Sequence, residues 1–324
     1  MSSTYFLTGA LGCIGAWVVQ QLVERGDVPV VFDLGGDARR IRDLFDDDVL
    51  TRVRFVAGDI TDAAAVKAAV SEAAPRAVLH LAGLQVPFCR ADPALGARVN
   101  VLGTIHVFEA ALAAGVARVV YASSAAVFGP SEDDGSAPDE SAACEPVTHY
   151  GVYKRANEGT ARVYWLEKKL ASVGLRPLTV YGVGRDQGLT SGPTSAMKAA
   201  VLGRPFHIGF SGPTDFHYVA DTAAAFLAAA DGGPSGALVY NLHGTTHDVS
   251  EVVGAIEAER PAARGRITFG GPRIPIPPEL DGAAFRAAYP ALTTTPLAVG
   301  VRATLARFQA LASVGRLDTR DLPA

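Results

Sequence analysis

Cysteine is scarce in this 324-residue chain, with Cys13, Cys89 and Cys144 the only three and no C-x-x-C pair among them. An odd count without paired spacing gives no disulfide framework and points to free buried thiols in a reducing cytoplasm. No run reaches the ~18 apolar residues needed to span a bilayer. The apolar stretch Tyr5–Val19 has no Lys or Arg ahead of it and is broken by Thr8, Gly9, Gly12 and Gly15, so it does not read as a signal-peptide core. Charge of one sign is not in excess either: Lys+Arg is 29, Asp+Glu 33 and the formal charge −4, which argues against nucleic acid or a membrane surface as partner. No internal repeat is present. What remains is an ordinary globular composition, 49% hydrophobic and 19% charged with Gly 34 and Pro 20, long enough to need no disulfide or metal staple.

Through the first half, short Val/Leu/Phe-rich runs alternate with longer helical stretches. Strands are expected at Tyr5–Thr8, Val28–Asp33, Val53–Ala57, Ala77–Leu81 and Arg118–Ser123. Continuous apolar runs of this length suit strands buried on both faces. Helices are expected near Ile14–Arg25, Ala63–Ala73, Pro93–Ala114 and Tyr150–Leu170. That alternation implies an α/β fold with a doubly wound parallel sheet, which binds ligands beyond the carboxyl ends of its strands. After Arg176 the pattern loosens: prolines punctuate shorter segments, and Gly270–Pro278 must be a loop. Ala237–Leu242 reads as a strand that returns to the main sheet, so a smaller C-terminal region is interleaved with the first. Thr222–Ala230 and Leu297–Leu311 read as helices.

The first strand runs into Thr8-Gly9-Ala10-Leu11-Gly12-Cys13-Ile14-Gly15, a T-G-x-x-G-x-x-G turn that opens a helix. Gly9 allows the tight turn, Gly12 lets backbone approach a pyrophosphate, and Gly15 lets the helix lie close on the sheet. The free N–H groups at the helix start then face the phosphates, with Leu11, Cys13 and Ile14 in the same turn. The second strand ends at Asp33, whose carboxylate can accept both ribose hydroxyls of NAD and would repel a 2′-phosphate; Arg39 and Arg40 nearby keep NADP as the alternative. Asp59 and Ile60 after the third strand are placed at the adenine edge, and Leu81, Ala82 and Gly83 after the fourth offer small residues against the cofactor.

His149-Tyr150-Gly151-Val152-Tyr153-Lys154 contains Y-x-x-x-K, which puts Tyr150 and Lys154 one helical turn apart on one face. The ammonium, together with a positive nicotinamide, is expected to lower the phenol's pKa from ~10 toward working pH and make Tyr150 a general base toward an alcohol. Tyr153 faces elsewhere. Ser123 and Ser124 end the fifth strand on the ligand edge, where a hydroxyl can hold a substrate oxygen. His80 and His106 lie in apolar runs as core groups, and His243-x-x-x-His247 follows a strand and contains Gly244, which favours a loop pair over a metal site.

Taken in order, TGALGCIG, GDI, HLAGL, NVLGT, YASSAAVFG, YGVYK, RPLTVYGVGR and, more loosely, DFHYVAD resemble an extended short-chain dehydrogenase/reductase of the NAD-dependent epimerase/dehydratase family, over nearly the whole chain. The resemblance implies a Rossmann domain over residues 1–176, with the strand near 237–243 returning to it, and a mostly substrate-binding region over 177–324. It implies that Ser124, Tyr150 and Lys154 form the catalytic triad, with Lys154 also holding the nicotinamide ribose. By the same likeness Asn100 sits in a hydrogen-bond relay, Pro177, Leu178 and Thr179 lie near the nicotinamide, and a homodimer forms through paired helices.

Departures from the family pattern narrow the chemistry. Where dehydratases carry an Asp-Glu pair after the catalytic hydroxyl, this chain has Ala125 and Ala126, so elimination of water has no proton donor. Where many nucleotide-sugar members carry Arg before Asp-Phe, this chain has Thr214, which cannot supply a bidentate charge to a diphosphate. Arg185, Arg204 and Arg273 are the remaining cations for that role. Gln85, Arg185, Thr214 and His217, with Ser124 and Tyr150, are the candidate substrate contacts. Two net reactions stay open: an epimerase-like cycle on a sugar-type substrate, or one-way oxidation of a small hydroxy substrate by NAD. A non-enzymatic NAD sensor would have no need for Ser124, Tyr150 and Lys154 together.

Overall fold

A computed structural model describes residues 2–45, 47–130 and 137–323. The chain lays down β1 (Thr4–Thr8), β2 (Val28–Asp33), β3 (Arg54–Ala57), β4 (Ala77–His80), β5 (Arg118–Ala122) and β6 (Ala171–Arg176). β7 (Thr179–Tyr181), β8 (Phe206–Ile208), β9 (Pro213–Tyr218), β10 (Ala237–Asn241), β11 (Thr245–Asp248) and β12 (Ile267–Phe269) follow. Seven of these form one sheet in the order β10-β6-β5-β4-β1-β2-β3, with every pairing parallel.

The apolar runs are continuous because each strand feeds two cores. Leu7, Val31, Leu79, Val120 and Val173 pack against helices Cys13–Glu24 and Val219–Asp231 on one face. Phe6, Val30, Val78 and Val119 meet helices Ala63–Ala73 and Gly103–Ala113 on the other. Beyond the sheet, a three-stranded sheet (β11-β9-β7), a β12-β8 pair and helices Gly192–Leu202, Val249–Glu259 and Leu297–Ser313 enclose a third core around Tyr181, Phe216, Val252 and Phe308. The strand Ala237–Asn241 does return to the main sheet, beside β6. Among the described residues no helix is long and apolar enough to cross a membrane.

Several elements differ from expectation. β6 is absent from the expected strands because its sequence, ASVGLR, carries Ser172, Gly174 and Arg176 along a strand paired on both sides, by β10 and β5. All six residues are buried: a Cβ on Gly174 would stand 2.6 Å from the Tyr121 ring, and Arg176 forks onto buried Glu158, Nε at 2.7 Å and Nη2 at 2.8 Å. The single helix expected over Pro93–Ala114 is instead a short helix at Pro93–Ala97, a π turn at Arg98–Leu102 and a helix at Gly103–Ala113. A further short helix, Val86–Ala91, precedes them.

Candidate active site

A cavity of about 660 Å³ opens at the carboxyl edge of the main sheet, between the glycine turn, the ends of β2 to β5 and the segments around residues 184–190 and 274–276. Its first half is made by close backbone approaches. Gly9 has φ of +71°, and a Cβ there would lie 2.4 Å from the Ala82 nitrogen; one on Gly15 would lie 2.4 Å from the Ala10 Cα. Gly12, by contrast, would meet only the Gly9 carbonyl oxygen at 3.1 Å, and it lines the cavity with Leu11, Cys13 and Ile14. The helix starting at Cys13 has no acidic residue in its first turn and no side-chain cap, so its N–H groups remain available to an anion. Burial pushes the Cys13 thiol up to about 12, which keeps it protonated.

Asp33 lines the cavity and accepts from the main-chain nitrogens of Leu11 at 3.2 Å and Leu34 at 2.9 Å. Arg39 and Arg40, the residues that kept NADP open, are both bound to Asp186, at 2.7 and 2.6 Å, and Arg40 also donates to the Leu11 carbonyl at 2.8 Å. Asp59, Ile60, Leu81, Ala82, Gly83 and Pro177 all line the cavity. A glycine cradle at a helix start, with a carboxylate one strand away, fits a dinucleotide whose ribose carries free hydroxyls.

The chemistry-bearing groups meet where the helix His149–Lys168 begins. Thr148 caps it by accepting from Gly151 N at 3.1 Å. Gly151 permits the docking, since a Cβ there would lie 2.3 Å from the Ala126 carbonyl. This brings the helix against the turn after β5, with Ser124 close enough to Tyr150 to favour its ionised form, and Ser124 Oγ accepting from Ala126 N at 3.2 Å. Ser124, Tyr150 and Lys154 all line the cavity. Lys154 donates to the Ala122 carbonyl at 2.7 Å, and its Nζ stands 5.5 Å from the Tyr150 ring centroid. Burial holds Lys154 down at about 8.

The expected lowering of Tyr150 is not what the protein alone produces. Burial pushes its phenol up, opposed by the Ser124 hydrogen bond and the charge of Arg185. Asn100 is buried in the π turn; its amide accepts from Leu84 N at 2.9 Å and donates to Leu84 O at 3.1 Å, fixing the backbone after β4. Ser123 turns its hydroxyl away from the cavity, onto Glu158 at 2.6 Å, so only its backbone can face a cofactor. His80 is satisfied by Thr8 at 2.6 Å and Thr104 at 2.9 Å, and burial holds it down at about 3. Tyr153 donates to Pro93 O at 2.8 Å, outside the site. Ala125 is fully buried and Ala126 lines the cavity, so no carboxylate follows Ser124.

Of the residues expected to contact a substrate, Gln85 and Arg185 line the cavity. Thr179, Thr214 and His217 do not: they are buried in β7 and β9, where Thr179 and Thr214 hydrogen-bond each other at 2.9 Å and His217 lies 3.4 Å from Asp215. Thr214 and His217, expected at the substrate, and Thr179, expected at the cofactor, are thus held on strands packed in the third core, off the cavity wall. Neither Arg204 nor Arg273 lines the cavity. His243 and His247 point to different partners, Asp215 at 3.5 Å and Glu251 at 3.2 Å. Missed by the sequence reading are Ile274, Pro275 and Ile276, which wall the cavity from the loop Gly270–Pro278. Isoleucines between prolines in a long loop were the available signal.

A family model described as the NAD dependent epimerase/dehydratase family matches residues 5–242. The chain belongs to this family. It is 32% identical over 283 residues to a UDP-glucose 4-epimerase of Rhizobium meliloti, covering 80% of this chain and 83% of that one. It is 34% identical over 240 residues to a 3-diazoavenalumate denitrifying reductase of a Streptomyces species, covering 72% and 73%. Among solved structures, the Thermus thermophilus UDP-glucose 4-epimerase in complex with NAD superposes with a TM-score of 0.81 at 26% identity, over 94% of this chain and 99% of that one. The NAD-dependent epimerase/dehydratase family comprises enzymes of the extended short-chain dehydrogenase/reductase type, and its cofactor, NAD, suits the glycine cradle and Asp33 described above.

Proposed function

We propose that the chain carries out NAD-dependent hydride transfer at a secondary carbinol of a sugar or sugar-derived substrate, in an epimerase-like cycle of oxidation, rotation and re-reduction. The observation that carries this reading is the meeting of Ser124, Tyr150 and Lys154 on the wall of one cavity with the glycine turn, Lys154 Nζ standing 5.5 Å from the Tyr150 ring centroid. The chemistry NAD supplies in such a site is hydride acceptance from the carbinol carbon and, in the reverse half-reaction, its return. Gly12 and the helix start at Cys13 would hold the pyrophosphate, Asp33 the adenosine ribose and Lys154 the nicotinamide ribose. As the phenolate, which the Lys154 ammonium and the positive charge of a bound NAD would favour over the neutral form that burial alone imposes, Tyr150 Oη takes the hydroxyl proton and later gives it back, and Ser124 Oγ holds the substrate oxygen in line with it. Lys154, buried beside the phenol, supplies positive charge while protonated.

One-way oxidation or reduction of a small substrate is the second reading. It is favoured by Thr214, which is buried against Thr179 and offers the cavity no charge where nucleotide-sugar members carry arginine. One relative's name, a reductase, supports it as well. Incubation with candidate sugars and excess NAD separates the two: stoichiometric absorbance near 340 nm marks the one-way enzyme, and product without it marks the closed cycle. In either case Tyr150→Phe is expected to lose about 10²–10⁴-fold in kcat. Full turnover by that variant rejects the base assignment, and absence of any turnover by the unaltered protein across the substrate set favours a sensor.

A further inference from the structure

The substrate end of the cavity holds a guanidinium with no carboxylate partner among the described residues. Arg185 follows β7, and its Nη2 donates to Thr190 Oγ1 at 2.9 Å while its Nε is buried without an acceptor. Other cations around the cavity are committed or differently placed. Arg40 is held by Asp186, Lys154 donates to Ala122 O, and Arg98 lies exposed on the π turn. Of the carboxylates on the wall, Asp33 and Asp59 belong to the cofactor end and Asp186 is taken by Arg39 and Arg40.

Gln85 comes to the same place. A Cβ on Gly188 would lie 2.1 Å from Gln85 Oε1 and 3.2 Å from Arg185 Nη2, so a glycine lets the two side chains converge. The wall around them is apolar, with Leu178, Leu189, Ile274 and Ile276. A neutral polyol would leave the guanidinium uncompensated there, whereas a planar carboxylate matches its fork and neutralises it. The charge of Arg185 reaches both Tyr150 and Cys13 of the glycine turn, which places it between the two ends of the cavity, within range of the reacting group.

We propose that Arg185 is the specificity-determining residue of this site, receiving a substrate carboxylate beside Tyr150 with Gln85 flanking it, so that the substrates are sugar acids or other hydroxy acids rather than neutral sugars. This rests on the hydride-transfer reading and names its substrate class. The test titrates the NADH-loaded full chain with gluconate, galactonate and lactate and with glucose and galactose, reading cofactor fluorescence, and in parallel follows NAD reduction with the same compounds. At least one acid is expected to bind ten or more times tighter than the neutral sugars. Arg185→Gln should cut that preference about a hundredfold, in Kd and KM more than in kcat, and Arg185→Lys should recover part of it.

Equal binding of acids and neutral sugars, no binding of any acid, or an equal loss on both classes in Arg185→Gln overturns the proposal and leaves hydride transfer standing. An Arg185-dependent acid preference in binding, with no NAD reduction and no isomerised product, supports the carboxylate site and counts against the hydride-transfer reading instead.

Discussion

Lys154 is the residue whose environment is most unlike water. Its side chain is 5% exposed, and its folded value of about 8 lies below the ordinary 10.5. A lysine depressed in this way binds fewer protons folded than unfolded between those two values. The penalty of burying its charge is therefore fully present below pH 8 and is relieved as pH rises toward 10. Tyr150, pushed above its ordinary value of 10, has the opposite effect as pH nears 10, since the unfolded phenol ionises first, but it is present in both proteins and cancels in their comparison. Thermal unfolding of the cofactor-free protein is expected to show stability rising from pH 8 to 10 relative to Lys154→Met, at up to about 1.4 kcal/mol per pH unit. Parallel curves for the two proteins would contradict the assignment. At this scale the motifs foretold that Ser124, Tyr150, Lys154 and Asp33 share one cavity, but not which way neighbouring side chains turn. Ser123 faces Glu158 and Thr214 faces Thr179 because buried hydroxyls need partners, and those partners lie 35 residues away in each case.

At the scale of elements, the glycine turn separates two duties that the sequence pattern lists together. Gly9 carries the contact between the turn and the end of β4, with φ of +71° and Ala82 backbone 2.4 Å from any Cβ, whereas Gly12 faces the cavity with φ of −79°. Gly9→Ala is expected to destabilise the fold by roughly 1–3 kcal/mol through overpacking and strain. Gly12→Ala should unfold close to the unaltered protein yet lose NAD binding, read by calorimetric titration; a Gly12→Ala protein with full NAD affinity would contradict the cradle. The strands flanking this turn were legible because burial on both faces leaves an unbroken apolar run. β6 was not, because its apolar run is interrupted by residues whose place is set by other elements: Arg176 pairs with Glu158 on the His149–Lys168 helix, and the space at Gly174 is taken by Tyr121 on β5. The π turn escaped for a related reason. Helical periodicity survives one extra residue, and the sign of the break is Asn100 binding both backbone groups of Leu84.

For the whole molecule, a large cleft lies between the sheet and the third core, and its lining differs along its length: carboxylates and glycines at the glycine turn, Arg185 and an apolar wall at the other end. The outer face of the helix His149–Lys168 exposes Val152, Val163 and Leu166. We propose that this face pairs with a second copy of the chain; light scattering is expected to give a dimer mass, and a monomer at micromolar concentration would reject it. The cleft's substrate wall was the part least legible in the sequence, since Ile274, Pro275 and Ile276 come from a loop with no motif. The most direct measurement of the central claim is a crystal structure with NAD bound. It should place Tyr150 Oη and Ser124 Oγ beside the nicotinamide C4, with Asp33 on the adenosine ribose. A phenol turned away from C4, or a dinucleotide lying elsewhere than the glycine turn, would contradict it.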